Sequence, residues 1–273
     1  MADKYWTDGG ADGVWATGAN WNGGTAPGNS DVAIIGTSNR AIVGATVATT
    51  GLTVRVTEGF GGTIGADAPL IFSDTTTVLI YGGKGAYANF GGTTYTSATL
   101  NVSGGQQVVL SSGTFTTLTV SGGNVTIAAA VVVTTLNNVG GTVTAGYNAT
   151  AFTTANNAGT LHTSRVCTTL NAKRGTAVQF NNGVTTFTSC GTVNIENGAT
   201  YNKQSGGTDT AVNAFPGSTF TIVGNAGNSA ATVTVTTLNQ WAGSKIVEAV
   251  NGITLTVGTR NYIGVGTTPT GSI

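Results

Sequence analysis

The side chains able to act as acids, bases, nucleophiles or metal ligands are few and scattered in this chain. Ten Asp and Glu, ten Lys and Arg and a single histidine serve 273 residues. The carboxylates are Asp3, Asp8, Asp12, Asp31, Glu58, Asp67, Asp74, Glu196, Asp209 and Glu248, and the stretch from Thr75 to Ile195 holds none. Glycoside hydrolysis takes two carboxylates flanking the scissile bond, roughly 5–10 Å apart. That long stretch therefore lacks acid–base groups. Asp8, Asp12 and Asp31 are near enough in sequence to gather around a cation. Beside glycines, their ordinary reading is as turn and capping residues, so no metal ligand is assigned. His162 has no second histidine for a metal cluster and no nearby acid for a triad; it reads as a surface or turn histidine. Gly82-Gly83-Lys84-Gly85 lacks the spacing and the Ser/Thr of a phosphate-binding loop. No catalytic residue and no cofactor is expected, and the chain does not read as an enzyme.

Cys167 and Cys190 stand 23 positions apart with no metal-ligand spacing around them. They read as two buried or half-buried thiols. A disulfide requires them to stack on neighbouring coils, and a cytoplasmic origin argues against one. Arg165, Lys173 and Arg174 fall on consecutive coils of the repeat described below. They are expected to form a small positive spot that meets an acidic partner surface.

Only 7% of the residues are charged, while 40% are hydrophobic. An ordinary soluble domain carries about 25% charge, and disorder goes with low hydrophobicity. The missing charge is replaced by Gly, Thr, Asn, Ser and Ala. Forty-three glycines are about twice the usual share. Thr and Val favour extended backbone, and Gly and Asn favour turns, so many short strands with tight corners are expected. Basic and acidic residues cancel, which argues against nucleic acid and against anionic membrane surfaces. The N-terminus has no basic segment leading into an apolar run. No signal peptide is read there, and synthesis in a cytoplasm is expected.

A short repeat organises the chain. Thr116-Thr117-Leu118 returns as Thr134-Thr135-Leu136, Thr153-Thr154-Ala155, Thr168-Thr169-Leu170 and Thr185-Thr186-Phe187, with an earlier copy at Ala98-Thr99-Leu100 and a late one at Thr236-Thr237-Leu238. The first spacings are 18, 18, 19, 15 and 17 residues. A second element keeps phase with it: Gly122 to Ile127, Gly140 to Val143, Gly175 to Val178 and Gly191 to Ile195. This period is too short for helical-pair or leucine-rich repeats. It predicts an all-β, single-stranded β-solenoid, a right-handed β-helix, of about 15–19 residues per coil. In the clearest coil Leu118 and Val120, Val125 and Ile127, and Val131 and Val133 form three apolar sides. Each pair has the period of two that turns alternate side chains inward. Corners are expected at Asn182-Gly183, Asn197-Gly198 and Asn251-Gly252.

Trp6, Trp15 and Trp21 crowd the N-terminus and read as an aromatic cap over an open sheet edge; a carbohydrate-stacking site is the alternative. Residues 81–97 break the repeat with Tyr81, Tyr87, Phe90 and Tyr95 among glycines. They are expected to form an excursion loop whose rings contact a partner. The organisation expected is a cap and first strands at 1–50, a solenoid at 51–200, and C-terminal coils or a small β region at 201–273.

The segment from Trp15 to Ile35, with Asn20-Trp21, Gly24, Pro27 and Asp31-Val32-Ala33-Ile34, resembles the opening of many bacterial and phage β-helical proteins. Autotransporter-type passenger domains and tailed-phage virion proteins share this pattern. Autotransporters add a signal peptide and a membrane barrel, neither of which is read here. The resemblance therefore implies a phage virion protein, foremost a capsid decoration or cement protein on the outer capsid surface. It further implies the major capsid protein as partner, self-association as a trimer and location in the virion. Two other functions stay open: a tail fibre or adhesin binding host carbohydrate through the aromatic residues, and an ice-binding solenoid using outward threonines.

Overall fold

The computed structural model describes residues 1–74, 76–102, 106–148, 150–180, 189–223, 232–248 and 254–264. The chain is an all-β parallel β-solenoid of about ten turns, roughly 20 residues per turn. It divides into two compact units, Met1–Asn148 and Ala149–Ile273. The first unit holds β1 (Asp3–Tyr5), β2 (Val32–Ile35), β3 (Thr46–Val47), β4 (Leu52–Val56), β5 (Leu70–Phe72), β6 (Thr76–Tyr81), β7 (Tyr87–Gly92), β8 (Thr94–Asn101), β9 (Gln107–Leu110), β10 (Gly113–Gly122), β11 (Asn124–Ile127), β12 (Val131–Asn138) and β13 (Thr142–Ala145). The second holds β14 (Phe152–Asn157), β15 (Thr160–Thr163), β16 (Cys167–Ala172), β17 (Gly175–Gln179), β18 (Cys190–Ile195), β19 (Ala199–Lys203), β20 (Gly207–Ala214), β21 (Thr219–Ile222), β22 (Thr232–Trp241), β23 (Lys245–Val247) and β24 (Thr254–Ile263). In each unit the even-numbered strands, joined by β1 in the first, build one sheet and the remaining odd-numbered strands build another. Each strand pairs in parallel with its counterpart one coil away.

The Thr pair of the repeat marks a corner. In β10, Phe115, Leu118 and Val120 are buried while Thr116 and Thr117 both face out, so the period of two is interrupted. The ladder omits one pair there without changing register: Phe115 pairs with Val133 and Thr117 with Thr135. The same omission recurs between Phe152 and Thr154, between Cys167 and Thr169, and between Asp209 and Ala211. Threonine suits this bend because its branched Cβ keeps the backbone extended while its hydroxyl reaches water. Val131 and Val133 lie before the bend of β12 and Leu136 after it, while Val125 and Ile127 lie on β11. Three apolar sides thus enclose the core. Burying one such side chain contributes about 1.5–3 kcal/mol, and only the neighbouring coil completes that burial.

Coils are longer and less even than the spacings predict. Direct partners are 15 residues apart at Ala155 and Leu170, 23 at Leu170 and Val193, and 26 at Val212 and Leu238. Extra residues sit in corners, where lengthening a loop changes closure entropy only slowly. Two phase assignments shift as a result. Leu118 pairs with Ala98, and Leu100 with Val120; a slip of two residues keeps every side chain on its face. Gly191 to Ile195, read as a second-side strand, lies in β18 beside the Thr-Thr-Leu strand β16. Thr185-Thr186-Phe187 and the corners at Asn182-Gly183 and Asn251-Gly252 lie outside the described residues. At Asn197-Gly198, Gly198 has a φ of 76°.

Residues 81–97 are rungs of the solenoid, not an excursion loop. Tyr81 ends β6, residues 82–86 connect it to β7, and β7 and β8 carry residues 87–92 and 94–97. Tyr81, Phe90 and Tyr95 are fully buried and Tyr87 is half-buried, so this is no exposed aromatic contact surface. One of the glycines that suggest a loop, Gly92, makes room for a ring. A Cβ on Gly92 would stand 2.5 Å from the Tyr95 ring. That ring stacks on Phe115 at 4.3 Å, and its hydroxyl donates to the Gly91 carbonyl at 2.7 Å. Burial pushes the Tyr81 hydroxyl up to about 12 and that of Tyr95 higher still. Beyond residue 200, β19 to β24 continue the two sheets as further rungs.

Candidate functional site

The N-terminal tryptophans form a buried cluster. Trp21 lies edge-on to Trp6 and Trp15, with centroids at 5.1 and 4.8 Å, and Trp15 meets Phe72 at 5.7 Å. The Trp21 indole N–H donates to the Trp15 carbonyl at 2.7 Å. Sugar stacking needs an exposed ring face, and none of the three rings is more than 3% exposed. The nearby acids serve separate partners. Asp12 accepts from the Thr17 hydroxyl at 2.7 Å, the Val14 N–H at 2.9 Å and the Asn20 amide. Those bonds, the Thr17 hydroxyl foremost, hold its carboxyl below the ordinary aspartate value. Asp31 accepts from the N–H groups of Gly28 and Ala2, which lower it likewise. Asp8 pairs with Arg40 at 2.7 Å. Among the described residues, no three His, Cys, Asp or Glu gather as metal ligands.

The expected positive spot shrinks. Lys173 and Arg174 are exposed at the corner before β17, but Arg165 is fully buried. Its guanidinium lies 5.2 Å from the centroid of the Phe152 ring, and desolvation lowers its pKa to about 10. The phase explains the reversal: Arg165 falls between the inward residues Thr163 and Cys167, where the chain turns inside the coil. His162 is half-buried on β15, edge-on to Phe180 at 6.4 Å.

Ionisable groups do gather in one place that the sequence reading missed, the interior of the second unit. The inward row before the Thr corner reads Phe152, Cys167, Cys190 and Asp209 on β14, β16, β18 and β20, and returns to apolar at Val235. The row on β15, β17, β19 and β21 reads Thr163, Gln179, Lys203 and Ile222. The two rows answer each other. Lys203 Nζ lies 3.0 Å from Asp209 Oδ1 and also donates to Gln179 Oε1. The Tyr201 hydroxyl sits 3.0 Å from Asp209 Oδ2 and 2.9 Å from Gln179 Oε1. The Cys190 N–H donates to Asp209 Oδ1 at 2.8 Å. Gln179 Nε2 donates to the Arg165 carbonyl at 3.1 Å. Burial, then the Asp209 charge, raises the Tyr201 hydroxyl well above its usual value. Lys203 and Asp209 are both fully buried, so no substrate reaches them. Their chemistry is mutual compensation of charges removed from water. The signal in the sequence was phase: Lys203 and Asp209 occupy inward positions of strands whose outward neighbours are Thr and Asn.

A second missed feature lies on the outside. Asn171 donates to Asn156, Asn194 to Asn171, Asn213 to Asn194, Asn239 to Asn213 and Asn261 to Asn239, each at 2.7–2.8 Å. Asn156, Asn171 and Asn239 each follow the last residue of a Thr-Thr-Leu copy, and Asn194, Asn213 and Asn261 hold the same register on β18, β20 and β24. An amide has both a donor and an acceptor, so a stacked row bonds head to tail. The readable signal was Asn one place beyond the repeat: Leu170-Asn171, Val193-Asn194, Val212-Asn213 and Leu238-Asn239.

Fold and interior together define the class, a parallel β-solenoid with an N-terminal buried aromatic cluster. No family model, curated protein or solved structure matches the chain.

Proposed function

We propose that this chain is a non-catalytic virion protein of a tailed phage, a capsid decoration or cement protein that binds and stabilises the outer capsid surface. Its partner is the major capsid protein, and it self-associates, as a trimer. The observation that carries this reading is where the ionisable groups lie. Those that gather are sealed and mutually paired inside the second unit, and near the surface at the N-terminus Asp12 and Asp31 hold turns while Asp8 pairs with Arg40. A scaffold hydrogen-bonded from rung to rung, with its acids engaged in its own folding, suits a rigid structural part better than an enzyme. The resemblance of Trp15 to Ile35 to the opening of phage β-helical proteins supports the virion setting.

The adhesin reading relied on exposed rings at 81–95 and in the tryptophan cluster, and these are buried apart from the half-buried Tyr87. The ice-binding reading needs outward threonines, and Thr116, Thr134, Thr153 and Thr168 are exposed at the corner; thermal hysteresis tests it. Quantitative mass spectrometry of purified particles tests the proposal. A copy number near that of the capsid protein, with capsids that break at lower temperature when the chain is absent, supports it. Absence from particles, or a handful of copies confined to tails, overturns it.

A further inference from the structure

Cys167 and Cys190 begin β16 and β18 and are direct partners in the parallel register. Both thiols are buried, and the neighbouring Cys167 thiol, with burial, pushes the Cys190 thiol well above its ordinary value. Residues in register on adjacent parallel strands lie about 4.8 Å apart, inside the roughly 4.4–6.8 Å span of Cα positions that a disulfide bridges. Their side chains share one phase and point the same way. Bridging them disturbs little polar contact: the Cys167 thiol reaches the Arg165 carbonyl at 4.0 Å, and the Gln179 amide lies 3.5 Å from the Cys190 sulfur while keeping its bond to Arg165.

We infer that Cys167 and Cys190 close a disulfide between neighbouring coils when the chain folds in the presence of a thiol–disulfide oxidant. The chemistry balances with oxidised glutathione. The thiolate of one cysteine attacks a glutathione sulfur, forming a mixed disulfide and releasing one glutathione thiolate. The second cysteine, deprotonated by solvent, attacks the cysteine sulfur of the mixed disulfide and releases the second glutathione. Two protein thiols are oxidised, one glutathione disulfide is reduced to two thiols, and the two protons pass through water to the released glutathione sulfurs. Timing follows from the environment. The neighbouring Cys167 thiol and burial disfavour the Cys190 thiolate, and thiols react as thiolates. Closure belongs to folding, before the next coil seals the rung, and is slow afterwards. The bridge joins β16 to β18 at the level where Gln179 and Lys203 face the same interior, and so ties the polar core from one side.

Cell-free synthesis with and without oxidised glutathione provides the test, since it needs no refolding step. With the oxidant, the intact mass falls by two hydrogen atoms and thiol titration of the denatured chain finds none. The thermal midpoint rises by roughly 5–10 °C, as expected for a loop of this size. The double variant Cys167→Ser with Cys190→Ser shows the same midpoint in both preparations. Chain made with oxidant that keeps both thiols titratable overturns the inference, as does an equal midpoint rise in the double variant. Native protein exposed to the oxidant only after folding keeps both thiols over the same period; rapid closure there overturns the timing.

Discussion

The two units stack the same kind of rung but fill it differently. In the first, the inward positions are aromatic and aliphatic: Tyr95 on Phe115, Phe72 edge-on to Tyr95, and Leu100 beside Val120. In the second, in-phase positions carry Cys167, Cys190 and Asp209 facing Gln179 and Lys203. The outer row differs too. Arg55, Ile80, Thr99 and Thr119, followed by a single asparagine at Asn137, occupy in the first unit the place that Asn171, Asn194, Asn213 and Asn239 occupy in the second. Apolar contacts are non-directional, so a coil slipped by two residues still buries its side chains. Directional pairs lose their partners on such a slip. The first unit specifies its register by shape, with glycine beside a ring; the second specifies it by hydrogen bonds.

The largest expected effect comes from breaking the buried pair. Lys203→Met leaves Asp209 buried without its cation and should destabilise the second unit by about 3–5 kcal/mol, measured by urea unfolding. Adding Asp209→Leu should recover most of that loss while loosening register, seen as faster amide exchange in β18 to β20 at similar stability. Unchanged exchange in the double variant would show that the polar core has no role in specificity. Next comes the shape-specified unit. Gly92→Val drives a Cβ into the Tyr95 ring and should cost about 1–3 kcal/mol. The smaller Tyr95→Leu should relieve part of that cost in the double variant, and strict additivity would refute the fit of ring to glycine.

The asparagine row predicts a smaller change. Asn194→Ala removes the bonds to Asn171 and Asn213 and should cost about 1–2 kcal/mol. Asn194→Thr, which copies the first unit, should cost less, and equal losses would mean that the amides contribute nothing beyond strand propensity. The smallest effect is acid sensitivity at the N-terminus. The Asp12 carboxyl titrates below its unfolded value, so its contribution is present above that value and disappears as pH falls through the folded one. Tryptophan emission should shift to the red as the pH falls below the ordinary aspartate value of about 4 in the parent chain. The substitution Asp12→Asn should abolish that dependence; a shift of the same size in both proteins would assign it elsewhere.

Much of the fold was legible because a solenoid repeats its local rule. Thr-Thr-Leu and Val125-Thr126-Ile127 carry strand propensity, alternation and a period, and these sufficed for coils and sides. Coil length was not legible because corners absorb residues without disturbing the ladder, as between Leu170 and Val193. Residues 81–97 misled because glycine signals a loop locally, while here Gly92 accommodates the nearby Tyr95 ring. Arg165 and Lys203 were out of reach because charge argues for the surface unless the answering group is known, and Asp209 answers Lys203 only once two sheets face each other.

Composition and periodicity by themselves determined that this chain winds into stacked strands with a repeating apolar interior. Those properties are local and recur in every coil. Which side chains meet across the interior depends on the register of each coil against the last and on the facing of the two sheets. Only the tertiary structure decided that two cysteines stack, that a lysine and an aspartate are sealed together, and that six asparagines form one row, because distances between rungs do not follow from distances along the chain.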